Sequence, residues 1–351
     1  MSTVAMMAAT GASAPPPIPV QSVVVAATAN RYTGIPWTSP SGPLGTSSTF
    51  VTTAPSGTMG RCDINPLGTV ALLGGSGTPF FTALKISDTG AVISTYTAAS
   101  PAPAAGFGSS FNAIGTVAAY FPTTTPFVFA HAWNDVTGFG TRYANPPSLP
   151  TGGFARQCTW NAANTVVVMA YSSTPFIAAW EWNDVTGFGT RYANPATLLT
   201  ANCQGVAFHP SGTQIVAATS SGMFSYEWND ITGFGARSAA LGGTNDNFTS
   251  VQFHPSGNAL LAGLNAATPL RAWQWGGAGG SLGAQYANPV GGQTTSPGTI
   301  YIPSFNKAGT AVAGTSSTAN NARVWPFDTV NGFGTGSNSA ISTTSFLYAF
   351  A

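Results

Sequence analysis

Residues 133–146 and 182–195 spell the same string, Trp-Asn-Asp-Val-Thr-Gly-Phe-Gly-Thr-Arg-Tyr-Ala-Asn-Pro, and weaker copies recur along the chain. A repeat of this length implies one supersecondary unit stacked on copies of itself, because such a unit cannot bury its apolar face alone. Aligning the copies on the turn after the aromatic residue gives anchors at Trp37, Ile86, Trp133, Trp182, Trp228, Trp275 and Phe327. Their separations run from 46 (228 − 182) to 52 (327 − 275), close to the roughly 40–50 residues of a four-stranded propeller blade. The spacing predicts an all-β, seven-bladed β-propeller of four-stranded antiparallel blades over residues 23–351, preceded by an extended arm at 1–22.

The copy around Trp228 is the clearest. Val206, Ala207 and Phe208 make a short strand, and His209-Pro210-Ser211-Gly212 carries the Pro and Gly of a tight turn. Residues 214–219 read as a second strand, and 223–228 as a third with Phe224, Tyr226 and Trp228 on one face. Asn229-Asp230 and Gly233-Phe234-Gly235 then close a hairpin. Asn65 and Asn306 stand where other copies have His209 and His254, so these histidines are expected to hydrogen-bond turns rather than act as bases. If Trp182 faces Thr190, Glu181 should oppose Arg191, and Glu227 should oppose Arg237, as structural ion pairs. The first unit lacks an innermost strand, and residues 345–350 supply one, so the ring is expected to close by pairing the two chain ends.

Only 5% of residues are charged and the net charge is +1. Without clustered Lys or Arg to neutralise phosphates, a nucleic-acid partner is not expected. No apolar run reaches the roughly 18 residues of a membrane span. Residues 1–20 lack the basic start of a secretory signal; Pro15, Pro16, Pro17 and Pro19 instead suggest an extended docking arm. Cys62, Cys158 and Cys203 are too few and scattered for a disulfide framework and read as small buried thiols.

The Val206–Gly212 turn, the Trp-Asn-Asp triplets at 133–135, 182–184 and 228–230, and the blade spacing resemble WD40-like repeats. More closely, Gly138 to Pro146 and Gly187 to Pro195 are similar to the divergent repeat of propeller proteins from bacterial viruses. The Gly-His pair of ordinary WD40 repeats is missing, so that family's buried His–Asp network is not expected. The viral resemblance implies a non-enzymatic virion structural protein, exposed on the particle as a capsid decoration, fibre or tail component. Its partners would be other virion proteins, bound possibly through the arm; the alternative is an adhesin or receptor-binding propeller that takes a host-surface glycan.

The carboxylates are Asp63, Asp88, Asp135, Glu181, Asp184, Glu227, Asp230, Asp246 and Asp328, and most occupy repeat-equivalent positions. A catalytic pair would instead break the repeat. The histidines and cysteines show no metal-ligand spacing, and Gly-Phe-Gly recurs as a hairpin turn rather than a phosphate loop. The sequence therefore predicts no catalytic, cofactor or metal site.

Overall fold

A computed structural model describes residues 21–27, 31–37, 45, 48–51, 60–100, 104–150, 152–242, 246–266, 268–276, 280–290, 298–299, 302–316, 319–340 and 345–350. Of the arm expected at 1–22, residues 1–20 with Pro15, Pro16, Pro17 and Pro19 lie outside them, whereas Gln21 and Ser22 belong to the strand Gln21–Ala27.

The protein is an all-β propeller of four-stranded blades. Six blades are each built from four strands that follow one another in sequence. Blade A is Asp63–Ile64, Val70–Gly74, Phe81–Ile86 and Val92–Thr95. Blade B is Gly106–Phe111, Val117–Pro122, Phe129–Asn134 and Gly138–Arg142. Blade C is Ala155–Trp160, Val166–Tyr171, Ile177–Asn183 and Gly187–Arg191. Blade D is Cys203–Phe208, Gln214–Thr219, Gly222–Asn229 and Gly233–Arg237. Blade E is Phe248–Phe253, Ala259–Ala266, Leu270–Trp275 and Leu282–Gln285. Blade F is Ser304–Phe305, Ala311–Ser316, Ala319–Asp328 and Gly332–Phe333.

The chain ends make one further sheet of different construction. Gln21–Ala27, Arg31–Trp37 and Ser48–Val51 pair in series, and Ser345–Phe350 adds to the free side of Gln21–Ala27 with Val23 opposite Phe350 and Val25 opposite Tyr348.

Large side chains fill the wedges between neighbours. Leu72 and Phe81 of blade A pack with Phe111 and Trp133 of blade B, and Val168 and Ile177 of blade C with Phe208 and Trp228 of blade D. Ile35 and Trp37 of the chain-end sheet meet Ala311 and Val324 of blade F, while Tyr32 meets Ile64 and Leu84 of blade A. The anchors Trp37, Ile86, Trp133, Trp182, Trp228, Trp275 and Phe327 are all buried; Trp37 ends the strand Arg31–Trp37, and the other six lie on the third strands of blades A to F.

The repeated polar residues tie blade to blade. In each Trp-Asn-Asp triplet the Asn caps its own hairpin: Asn183 Oδ1 accepts from the N–H groups of Val185 and Thr186. The Asp accepts the indole N–H two residues earlier, at 2.6 Å in Trp133–Asp135, Trp182–Asp184 and Trp228–Asp230. Its second task is to receive the preceding blade. Asn65 Nδ2 donates to Asp135 and Asn161 Nδ2 to Asp230, while Asn112 donates to Asn164, which donates to Asp184. Tyr96, Tyr143 and Tyr192 donate their hydroxyls to the main-chain oxygens of Asp135, Asp184 and Asp230 in the following blade. His209 and His254 pair through Nδ1 with Ser211 and Ser256 in their own turns, and through Nε2 with the carbonyls of Gly257 and Gly309 one blade on.

The expected ion pairs are corrected. A bulge sets the step from Trp182 to Trp180 against the step from Phe188 to Arg191, so Arg191 opposes Trp180 and Arg237 opposes Tyr226. Arg191 lies 5.7 Å from the Trp180 ring centroid and donates to Asn194, whereas the Glu181 carboxylate accepts the Thr190 N–H at 3.1 Å. Arg237 lies 4.7 Å from the Phe224 ring centroid and donates to the Leu198 carbonyl. Among the described residues the ion pair is Arg271–Asp246, at 2.7 Å.

Asp184 accepts from Trp182, Asn164 and Thr116, the last two in different turns. Asp184→Ala should cost roughly 2–4 kcal/mol, since it strands several donors to a charged acceptor. Urea unfolding measures the loss; an unchanged midpoint would show that the latch carries no stability.

Candidate functional site

Innermost strands run parallel around the axis, as the bridge between Arg61 and Gly108 shows. Residues two apart on such a strand share a face, so two tiers project toward the axis. One holds Asp63, Ser110, Thr159, Ala207, Gln252 and Ser304, and the other Arg61, Gln157, Ser250 and Ile302 with glycines at 108 and 205. Together they line a cavity of about 250 Å³ that reaches the turn face at Ala113. We call it the axial well.

Arg61 forms its floor. From blade A its guanidinium reaches blades C, D and E: Nη1 donates to Gln157 Oε1 at 2.5 Å, and Nη2 to the carbonyls of Gln204 at 2.6 Å and Thr249 at 2.7 Å. Both carbonyls belong to bulge residues of their strands, where the ladder skips one position. Glycine at 108 is required by this crossing, since a Cβ there would lie 2.9 Å from Arg61 Cβ. Burial, and secondarily the neighbouring Arg156, lower the Arg61 pKa to about 9.

Asp63 is the carboxylate of the wall and keeps a partly exposed edge. Its Oδ1 accepts the Ile64 N–H at 2.9 Å, and its Oδ2 accepts the Phe111 N–H at 2.8 Å and the Ser110 hydroxyl at 3.2 Å. Those bonds favour the anion, yet burial outweighs them and pushes the pKa up to about 6. The tie to the next blade does not itself require a charge. At the equivalent place in blade E, Gln252 accepts the Phe305 N–H through a neutral amide at 2.7 Å. One more polar group of the inward tier, Ser250 Oγ, is buried without a hydrogen-bond partner.

None of the anchors Trp37, Ile86, Trp133, Trp182, Trp228, Trp275 or Phe327 lines the well, and neither do Glu181, Arg191, Glu227 or Arg237. The sequence reading passed over Arg61, Asp63, Gln157 and Trp160. Their signal was departure from the repeat: Trp160 stands where neighbouring innermost strands carry Phe111, Phe208 and Phe253, and Asp63 where they carry Ser110 and Ala207. Cys62, Cys158 and Cys203 are buried and belong to no disulfide. No group of potential metal ligands occurs among the described residues, and no helix there is long and apolar enough to cross a membrane.

No protein-family profile and no curated protein matches the chain. Solved structures do match in fold. A Bacteroides fragilis protein named provisionally as a 6-phosphogluconolactonase superposes with a TM-score of 0.70 at 9% identity, covering 97% of this chain and 100% of its own. A Bacteroides uniformis protein with the same provisional name gives 0.70 at 11% identity, with 95% and 100% covered. A periplasmic gluconolactonase of Pseudomonas aeruginosa gives 0.69 at 10% identity, with 95% and 99% covered. At such identities the likeness is one of fold.

The expectation of a phage virion structural protein, or alternatively a glycan-binding adhesin, located on the particle is corrected by these matches. Solved structures that share the fold include bacterial proteins named as lactonases, one of them periplasmic. The physical reason lies in the motif that suggested a virus. Its Trp, Asp and Tyr are occupied with joining blades, so it reports propeller packing and carries no information on a particle. The WD40 resemblance likewise holds only as a propeller.

Because the folded-state pKa of Asp63, about 6, exceeds its ordinary value of 3.8, the group favours folding most below about pH 4. That contribution is lost as pH rises through 6. Its ceiling is about 3 kcal/mol. Unfolding free energies measured from pH 4 to 7 should fall more in the wild type than in Asp63→Asn, and parallel curves would refute the raised pKa.

Proposed function

We propose that the axial well binds a small, uncharged, hydroxyl-rich molecule and that Asp63 is its acid–base group, the reaction being ring-opening hydrolysis of a sugar lactone. The observation that carries this reading is a buried carboxylate with a pKa near 6 on the wall of a polar cavity. Perturbed carboxyls in clefts mark acid–base sites. The reaction class is suggested by the names of the structural neighbours; the phosphate in two of those names is not carried over. Arg61, the cation of the lining, already donates to Gln157 and two carbonyls.

In this mechanism the Asp63 carboxylate takes a proton from water as its oxygen adds to the lactone carbonyl. The ring C–O bond then breaks, and the proton passes from Asp63 to the departing alkoxide, giving the open hydroxy acid. Ser110, Thr159, Gln252 and Ser304 supply hydrogen bonds to substrate hydroxyls.

The chain-end sheet belongs to the same proposal as a seventh blade. Ser345–Phe350 lies against Asp63–Ile64 on one side and Ser304–Phe305 on the other, where it would complete the wall.

Hydrolysis of glucono-δ-lactone, followed by pH-stat, should exceed the uncatalysed rate and rise with pH through about 6 as Asp63 ionises. Asp63→Asn should lower kcat by at least about 100-fold, the usual scale of general-base catalysis. A wild-type rate equal to the buffer blank across neutral lactones, or full activity in the variant, would refute the proposal.

A further inference from the structure

The end of the axis away from Asp63 carries a second concentration of charge. Ala155 pairs with Tyr171 and Gln157 with Ala170, which leaves Arg156 as the bulged residue between them. Arg156 therefore sits beside the residue whose side chain accepts from Arg61 at 2.5 Å. Its guanidinium lies 5.0 Å from the Phe154 ring centroid. Its Nε is buried with no hydrogen-bond partner. Burial lowers its pKa, and its charge in turn lowers that of Arg61.

Two guanidinium groups thus share one low-dielectric region. The acceptors of Arg61 are a neutral amide and two carbonyls, and the ion pair among the described residues involves neither arginine. Asp63 is engaged elsewhere, by Ile64, Ser110 and Phe111. Holding two half-buried like charges close together without a counter-charge is unfavourable, and the chain has only 10 Lys and Arg in all. The equivalent bulge positions in blades D and E hold the neutral Gln204 and Thr249, so the arginine is not a requirement of the fold.

We propose that Arg156, together with Arg61, holds a small oxyanion at this end of the axis. Arg156 supplies the unsatisfied Nε–H, and the planar fork of a guanidinium matches two oxygens of a phosphate, sulfate or carboxylate. The site is separate from the axial well, since the Arg61 crossing lies between them, and it does not depend on the lactone reading.

Inorganic phosphate, sulfate and acetate are titrated into the full chain by calorimetry at low ionic strength, with thermal unfolding measured in parallel. Saturable binding of at least one anion and a raised unfolding temperature are expected. Arg156→Gln should weaken binding by about tenfold or more, as loss of a charge-assisted bond implies. Arg156→Lys, which keeps the charge but not the fork, should fall between, and Asp63→Asn should bind like the wild type. Absence of saturable binding for all three anions, or equal affinity in the wild type and Arg156→Gln, would overturn the proposal. Lost lactone hydrolysis with anion binding intact would instead refute only the well's proposed chemistry.

Discussion

In blades B, C and D the packing of blade on blade runs through the carboxylate that follows Trp-Asn in the repeat. Asp135, Asp184 and Asp230 each accept an indole N–H from their own strand and an amide N–H that comes from a first turn. Without such an acceptor the buried indoles would lose their partner, and the inner turn of one blade would be unlinked from the outer hairpin of the next. A chain with 5% charged residues spends several of its carboxylates on this linkage.

Repetition ends at the axis, and there the chemistry begins. Wedge positions must be alike because each meets the same kind of neighbour, but the innermost strands face the centre, where different residues can meet. Arg61 uses that freedom to reach three other blades. By filling the axis it turns a channel into a well with a floor, and Asp63 lies on the wall above it. Glycine at 108 makes the crossing sterically possible.

The sequence made the propeller legible because blade packing is periodic. Each of the seven anchors found by alignment is buried, and six of them lie on third strands. The turn histidines were also readable, though their reach to the following blade was not, since a partner across a blade boundary leaves no local trace. The ion pairs failed for a definite reason: the hairpin is tighter than assumed, with Trp182 facing Phe188 rather than Thr190, and the one extra residue that a bulge adds to the fourth strand brings Arg191 only as far as Trp180. A single inserted position changes every facing pair beyond it. The well was missed because repeat alignment rewards what recurs, while Asp63, Arg61, Arg156 and Trp160 are informative through occurring once at their positions.

Low charge also explains why the axial groups titrate abnormally. In most proteins a buried carboxyl is shifted by whichever ion lies beside it. Here burial is the leading cause for Asp63, for Arg61 and for Arg156, because so few other ions are present to compensate. Asp63 is left with three hydrogen-bond donors that moderate the shift without cancelling it. The same scarcity leaves Arg156 beside Arg61 with no carboxylate between them. A nearly uncharged scaffold thus leaves at its axis a carboxyl whose pKa is pushed up to about 6 and, at the other end, two neighbouring arginines with no carboxylate to pair with.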